Sequence, residues 1–183
     1  MTDLDSRILF FLYSAGGGAL TRLALVLSAV GSGWVTLGLI PLLRWPRWRR
    51  LVGTLGVALG AGAGLVALLK AVIGRPRPCF ALPGVHALCS PPSDPSFPSG
   101  HAFGGFAFAA FVVFTMYTGD EVRPQVRRIL TPTVVMLAIG IAWSRVYLGV
   151  HFPADVVVGG ALGVVTGLCA GWLYRRSTPV PSR

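Results

Sequence analysis

Ser144-Arg145-Val146-Tyr147-Leu148-Gly149-Val150-His151-Phe152-Pro153-Ala154-Asp155 joins two long apolar runs of the chain. Its polar side chains fall where one membrane helix would end and the next begin, and ionisable groups at such boundaries are costly and usually functional. Arg145 could clamp an anion, and His151 could act as a nucleophile or base. Asp155 follows His151 by four residues, close to one helical turn, so it could orient the imidazole. Pro153 suits the first turn of the second helix, where its missing N–H costs nothing.

The composition is that of a membrane protein. The chain has 183 residues, of which 54% are hydrophobic and only 12% charged, and its mean hydropathy is +0.70. A soluble core does not need so much apolar sequence. The net charge of +10 would suggest a nucleic-acid partner in a soluble protein. Here the arginines cluster in short loops between apolar runs, so they indicate membrane topology and no nucleic-acid partner is expected.

The long apolar runs predict the helices that cross the membrane, because about 20 apolar residues span its hydrocarbon core. A shorter apolar segment, Leu4 to Tyr13, precedes them and is expected to lie at the interface. The predicted spans are Leu20 to Leu43, Leu51 to Ile73, Gly100 to Tyr117, Ile129 to Tyr147 and Ala154 to Tyr174. We therefore predict an all-α integral-membrane helical bundle with about five transmembrane helices plus a short N-terminal interfacial helix.

The whole chain, residues 1–183, is expected to form a single membrane-embedded domain. Within it we expect an interfacial N-terminal segment (1–19), an outer loop (74–98) and a cytoplasmic tail (175–183). The arginines set the orientation, because short cytoplasmic loops carry an excess of basic residues. Those assigned to the cytoplasmic side are Arg44, Arg47, Arg49, Arg50, Arg123, Arg127, Arg128, Arg175, Arg176 and Arg183. An odd number of spans then places the N-terminus outside.

Alternating passes bring the strongly polar groups of four helix ends to one membrane face. Lys70 lies at the outer end of the second span and His101 at the outer start of the third. Arg145 and Asp155 take the corresponding places in the fourth and fifth spans. A shared active site near the outer surface explains this arrangement better than structural anchoring does.

Three fixed positive charges, Lys70, Arg77 and Arg145, favour an anion with several oxygens, most simply a phosphate. Ser99 and Gly100 enter the third span, where a hydroxyl and backbone N–H groups at a helix N-terminus can seat that anion. Two histidines and an aspartate could also hold a metal, but the surrounding cations would repel a divalent ion. Ser99 could be a protease-like nucleophile, although a protease does not need three cations at its centre.

Three motifs carry a family resemblance. They are Lys70-x6-Arg77-Pro78, Pro98-Ser99-Gly100-His101 and Ser144-Arg145-x5-His151-x3-Asp155. In order and spacing they resemble the signature blocks of the type-2 phosphatidic acid phosphatase superfamily, which also includes the vanadium haloperoxidases. The resemblance implies a small bacterial integral-membrane lipid phosphatase with a helical-bundle fold and no metal or other cofactor. It would lie in the inner (cytoplasmic) membrane, with its site facing the periplasm or the cell exterior.

The resemblance also implies a role for each matching residue. Phosphate binding would fall to Lys70, Arg77, Ser99, Gly100 and Arg145, and catalysis to His151, His101 and Asp155. His151 would attack phosphorus, Asp155 would orient it, and His101 would protonate the leaving oxygen. The residues themselves support this division, because His151 has a carboxylate one helical turn away and His101 has none.

The outer loop holds two cysteines, Cys79 and Cys89. We predict a disulfide between them, because the loop would face an oxidising compartment; two free thiols are the alternative. The bond would tether the segment just after Arg77. Arg75 and Asp94 are expected to be solvated loop residues. The alternatives are contact of either residue with a lipid head group, Arg75 as a fourth cation for the anion, and pairing of Asp94 with an active-site cation.

Three functions are compatible with the motifs. The first is a lipid phosphate or pyrophosphate phosphatase whose partners are the bilayer and a lipid phosphate. The second is a lipid-binding or transport protein without hydrolysis, which would need only the cations. The third, a vanadate-dependent peroxidase, does not suit a site at a bilayer. Undecaprenyl pyrophosphate is the first choice of substrate, with phosphatidic acid, phosphatidylglycerol phosphate and lipid A phosphate left open.

Overall fold

The computed structural model describes residues 3–14, 17–33, 38–119 and 122–177, and within these ranges every regular element is helical. The elements in chain order are α1 (Asp3–Ser14), α2 (Gly18–Val30), a 3-10 helix (Ile40–Arg44), α3 (Pro46–Ile73), α4 (Pro78–Ala81), α5 (Gly100–Tyr117), α6 (Pro124–Tyr147) and α7 (Pro153–Arg176). This confirms the predicted all-α fold.

Four helices are long and apolar enough to cross a membrane, namely α3, α5, α6 and α7. The helices α1 and α2 form a pair bent by 115°, and this pair makes a fifth span if it is counted as one. The prediction of about five transmembrane helices therefore holds, and the chain is a multi-pass membrane protein.

The first predicted span, Leu20 to Leu43, was wrong as one uninterrupted helix. The helix α2 ends at Val30, with Gly31 as its C-terminal cap. Residues 34–37 of the predicted span lie outside the described residues, and its last residues form the 3-10 helix. Glycine is a poor helix former and proline cannot continue a helical hydrogen-bond ladder, so Gly31 and Pro41 oppose a continuous helix here.

The N-terminal helix α1 packs against the protein through one side. Leu9 is fully buried with Val85, Val146 and Phe152, while Leu4 and other apolar side chains of the helix remain exposed. A helix with an anchored side and an exposed apolar side is compatible with an interface, but together with α2 it would form one bent span, so the interfacial position stays a prediction. The packing brings the start of α1 against the start of α7.

Close packing of α5 against α7 fixes the position of the start of one helix relative to the start of the other. A Cβ atom at Gly163 or Gly167 would collide with backbone atoms of α5, and one at Gly159 with the backbone of Ser99 just before it. This four-residue spacing of glycines lets the two segments approach closely. The backbone N–H of Ser99, just before α5, donates to the carbonyl of Asp155 in α7 over 2.9 Å. The starts of the two helices therefore lie side by side.

Two glycines with positive φ make the turns that carry site residues. Gly74 (φ +60°) caps the C-terminus of α3 and redirects the chain into the outer loop. Gly149 (φ +74°) lies between α6 and α7, and a Cβ there would approach the carbonyl oxygen of His86 to 3.1 Å. Glycine adopts this left-handed conformation without the steric cost that other residues meet.

Candidate active site

The residues that the motifs single out gather at one end of the bundle. His101, in the first turn of α5, lies within electrostatic range of Lys70, Arg77, Arg145 and His151. The full set that the sequence predicts is Lys70, Arg77, Ser99, Gly100, His101, Arg145, His151 and Asp155. They come from the end of α3, the loop after it, the start of α5 and the α6–α7 junction.

Arg77 lies at the centre of this cluster and is only 3% exposed. Its Nε donates to the carbonyl of Asp94 and its second terminal nitrogen to the Asp94 carboxylate, each over 2.8 Å. Its first terminal nitrogen donates to the carbonyl of Val150 over 2.8 Å and lies 3.1 Å from Nε2 of His151. The guanidinium is thereby fixed against the imidazole.

The neighbours of His151 determine which nitrogen carries the proton. Arginine can only donate, so the contact with Arg77 makes Nε2 the acceptor and leaves the proton on Nδ1. Nδ1 lies 3.5 Å from a carboxylate oxygen of Asp155. Burial lowers the pKa of His151 to about 4; the hydrogen bond to Asp155 opposes this, and the charge of Arg77 reinforces it. The ring is therefore neutral at pH 7, with its Nε2 lone pair towards the cations.

Asp155 is fully buried but well supplied with donors. Its Oδ2 accepts the backbone N–H of Phe152 over 2.9 Å and the hydroxyl of Ser96. Its Oδ1 accepts from Arg75 over 2.6 Å. A carboxylate with this many donors is stabilised in its charged form and in one orientation.

Asp94 bridges two cations of the predicted phosphate site. The expectation that it is a solvated loop residue was therefore wrong, and the structure has the alternative, in which Asp94 pairs with active-site cations. Its carboxylate lies 2.9 Å from Nζ of Lys70 and 2.8 Å from Arg77. Partial burial would raise the pKa of Asp94, but hydrogen bonds from both cations outweigh it and hold that pKa below its ordinary value. The half-exposed carboxylate thus occupies a place that suits a phosphate oxygen.

Arg145 is 4% exposed and keeps an unused donor. A terminal nitrogen donates to Ser28 of α2, whereas its buried Nε has no hydrogen-bond partner among the described residues. Its own carbonyl accepts the N–H groups of Val150 and His151 over 3.3 and 3.2 Å. Because an unpaired buried donor is unfavourable, this Nε is a ready ligand for an anion.

The start of α5 places Ser99, Gly100 and His101 beside this cluster. Ser99 is fully buried and caps the helix, its hydroxyl accepting the N–H of Ala102 over 3.4 Å. Gly100 is the first residue of the helix, where backbone N–H groups lack intrahelical partners and the helix dipole favours negative charge.

Four further residues of the site lay outside the sequence prediction: Asp5, Ser28, Arg75 and Ser96. Arg75, expected to be solvated, is instead only 18% exposed and paired with two carboxylates. Ser28 and Asp5 come from the first two helices, far along the chain from their partners. Spacing within the motifs cannot reveal contacts of this kind; the nearness of Arg75 to Arg77 was the only available signal.

The predicted disulfide is not formed in this structure, where Cys79 and Cys89 are both free thiols. Cys79 lies in the short helix α4. Cys89 instead packs against a buried cluster that includes Tyr147 and Leu148.

The fold and the comparisons define a class: an integral-membrane phosphate ester hydrolase. The chain matches the PAP2 superfamily over residues 51–179 and belongs to that family. It is a lipid phosphatase of the PAP2 type, an enzyme that hydrolyses phosphate esters.

Relatives and solved structures agree with this assignment. The chain is 34% identical over 135 residues to decaprenylphosphoryl-5-phosphoribose phosphatase from Mycobacterium tuberculosis, covering 74% of this chain and 68% of the relative. It is 31% identical over 145 residues to an undecaprenyl-diphosphatase from Sulfolobus acidocaldarius, covering 79% and 66%. The crystal structure of LpxE from Aquifex aeolicus superposes with a TM-score of 0.75 at 28% identity, covering 92% of this chain and 95% of that one. A PAP2-type phosphatidylglycerolphosphate phosphatase from Bacillus subtilis shares the fold, with a TM-score of 0.79 at 24% identity over 96% and 86% of the two chains.

Proposed function

We propose that this protein hydrolyses the phosphate of a polyprenyl-linked lipid, without a metal, through a phosphohistidine intermediate on His151. Undecaprenyl pyrophosphate is the first candidate substrate. The observation that carries the proposal is the position of His151, with Nε2 against Arg77 and Nδ1 towards Asp155. Two of the four proteins compared above act, by their names, on polyprenyl compounds, and a third acts, by its name, on phosphatidylglycerolphosphate.

The reaction would proceed in two displacements. In the first, Nε2 of His151 attacks phosphorus; the N–P bond forms, the bond to the leaving oxygen breaks, and His101 gives that oxygen a proton. In the second, His101 takes a proton from water as the water oxygen attacks phosphorus. The N–P bond then breaks, inorganic phosphate leaves and both histidines return to their first state. Asp155 steadies the positive charge that develops on His151 during attack.

The cations would bind the phosphate and stabilise the charge that spreads over its oxygens. Lys70 and Arg77 now hold the carboxylate of Asp94, and a phosphate would replace it. The unpaired Nε of Arg145 and the N–H groups at Gly100 would complete the seat. Donors that are already oriented in a water-poor site stabilise a transition state most effectively.

An apolar cavity beside the site supports a lipid substrate. It has a volume of about 680 Å³ and is lined by apolar residues of several helices, including Leu59, Phe103 and Ile141. Gly100 lines it too, and so does Gly31, where a Cβ would lie 3.4 Å from the ring of His101. A hydrocarbon tail in this cavity would therefore run up to the start of α5.

The proposed domain is the whole chain, 1–183, with the site on the outer face of a bacterial inner membrane. The arginines clustered just before and within the first turns of α3 and α6 support this orientation, because basic residues at the ends of membrane helices favour the cytoplasm. The site residues lie at the opposite ends of these helices. Lipid phosphates would then be hydrolysed on the periplasmic or exterior side.

The test is phosphate release by the purified full-length protein in detergent, with EDTA present. The substrates compared are undecaprenyl pyrophosphate, decaprenylphosphoryl-5-phosphoribose, phosphatidylglycerol phosphate, phosphatidic acid and lipid A phosphate. Turnover with EDTA, fastest on a polyprenyl substrate, together with an acid-labile phosphohistidine is the expected result. Faster turnover of a glycerolipid would overturn the substrate class. Saturable binding with no phosphate release would instead make the protein a non-catalytic lipid binder.

A further inference from the structure

Asp5, near the start of α1, is connected to the buried carboxylate of the site through a single arginine. Arg75 donates from one terminal nitrogen to Oδ1 of Asp155 over 2.6 Å and from the other to Oδ2 of Asp5 over 2.5 Å. Asp5 is 6% exposed, and its remaining oxygen accepts the backbone N–H of Ala154 over 2.9 Å. One carboxylate of α1 thus binds both the arginine and the first turn of α7.

Arg75 is held from two further directions. Its guanidinium carbon lies 4.1 Å from the centre of the Phe152 ring, and its carbonyl accepts the N–H of Ser96 over 2.8 Å. Ser96 in turn donates to Asp155. Both terminal nitrogens of Arg75 are thus engaged by carboxylates.

Arg75 holds the carboxylate of Asp155 through the oxygen that faces away from His151. Oδ2 of Asp155 faces His151 and is held by Ser96 and the N–H of Phe152. Oδ1 has Arg75 as its donor. A carboxylate bound on both oxygens cannot rotate, so it presents one oxygen to Nδ1 of His151 and holds the proton there.

We infer that Asp5 and Arg75 are positioning residues of the reaction: Asp5 holds Arg75, and Arg75 holds Asp155 in the orientation that keeps the proton of His151 on Nδ1 and the attacking lone pair on Nε2. This inference rests on the proposed function. It extends the active site to α1, since the family match begins at residue 51 and Asp5 lies before it. Neither residue touches the substrate.

The test uses full-length Asp5→Asn, Arg75→Met, Asp155→Asn and the double variant Arg75→Met with Asp155→Asn. Asparagine keeps an oxygen for the N–H of Ala154 but removes the charge that holds Arg75. We expect Asp5→Asn and Arg75→Met each to lower kcat about tenfold and to leave KM within about twofold, a size usual for members of one ion-pair network. Because Arg75 acts through Asp155, the double variant should be no slower than Asp155→Asn alone. Arg75→Lys, which cannot span both carboxylates, should recover only part of the loss.

Leu9→Ala is the matched control, because Leu9 anchors the same helix by packing alone. We expect it to lower Tm without lowering kcat at a temperature where the protein is folded. A wild-type kcat in both Asp5→Asn and Arg75→Met would overturn the inference. So would a loss confined to KM, or a loss of kcat in Leu9→Ala as large as that in Asp5→Asn at equal loss of Tm.

Imidazole 15N chemical shifts of His151 give a second readout that needs no turnover. The wild type should show the proton on Nδ1, Asp5→Asn and Arg75→Met should show mixed tautomers, and Leu9→Ala should match the wild type. Unchanged shifts in both charge variants would overturn the inference. If the wild type released no phosphate from any substrate, the proposed function would fail, while these shifts would still decide whether the arrangement positions His151.

Discussion

Arg77 donates to Nε2 of His151 over 3.1 Å, and this contact determines the chemistry available to the imidazole. Since a guanidinium has no acceptor, Nε2 must accept this hydrogen bond, so the lone pair lies on Nε2 and the proton on Nδ1. Asp155 lies 3.5 Å from the opposite nitrogen. The nucleophile that the sequence favoured therefore has a geometry suited to attack.

The two histidines should differ in their dependence on the leaving group. His151→Ala should abolish both turnover and the trapped phosphohistidine. His101→Ala should slow hydrolysis of lipid alkyl phosphates by about 100- to 10,000-fold, the usual contribution of a general acid, and largely spare nitrophenyl phosphate, whose leaving oxygen needs no proton. Pre-steady-state rates of leaving-group release on both substrates would check this, because His101 also acts as the base of the second displacement, which is common to both substrates. A histidine still phosphorylated in His151→Ala would contradict the assignment.

Activity should persist well below the ordinary titration range of histidine. A protonated imidazole has no lone pair, so the rate falls as pH decreases through the pKa of His151, which burial lowers to about 4. Single-turnover rates on nitrophenyl phosphate should stay level from neutral pH down to about pH 5, whereas an ordinary histidine would titrate near pH 6.5. Asp155→Asn removes a partner that raises this pKa, so its residual rate should fall only at still lower pH. An acid limb near 6.5 in the wild type would contradict the burial argument.

Asp94 should compete with phosphate for Lys70 and Arg77. Replacing it with Asn removes the charge, so we expect inorganic phosphate to inhibit about two- to fivefold more tightly, the small gain that a half-exposed ion pair allows. Inhibition constants at low ionic strength would measure this. Asp94→Glu keeps a carboxylate and serves as the control; equal inhibition of the wild type and Asp94→Asn would show that Asp94 does not compete.

The glycines of α7 should be sensitive to a single methyl group. Gly163→Ala places a Cβ against the backbone of α5 at Phe103, and we expect a loss of about 1–3 kcal/mol in the free energy of unfolding. Gly64→Ala is the matched control, since nothing lies within 4 Å of a Cβ there. Thermal unfolding in detergent would compare the two, and equal Tm values would contradict the close packing.

The orientation can be tested in intact cells with single cysteines in a chain whose three native cysteines are replaced by serine. A cysteine at Gln125, before the main apolar part of α6, should resist an impermeant reagent because the proposed orientation places it in the cytoplasm. A cysteine at Ser90, in the outer loop, should react. Labelling of the cysteine at Gln125 would contradict the proposed topology.

Sequence patterns located the helices well where composition alone decides them. Long apolar runs, such as those of α3 and α7, must form their backbone hydrogen bonds within the segment when they cross a membrane. An α-helix meets this requirement for a single run. The interruption after Val30 was harder to predict, because Gly31 and Pro41 are often tolerated in membrane helices. Whether they end one depends on neighbours such as Ile141, against which Gly31 packs without room for a Cβ.

The sequence by itself determined the helical class, the family and the residues of the three motifs, because spacing along helices fixes which side chains share an end. Only the tertiary structure decided the supporting contacts. Asp5 and Arg75 are 70 positions apart, and Asp94 came from a loop whose charges would ordinarily be solvated. Burial decided their pairing: near a buried carboxylate or guanidinium an uncompensated charge is expensive, so the fold brings distant charges together there.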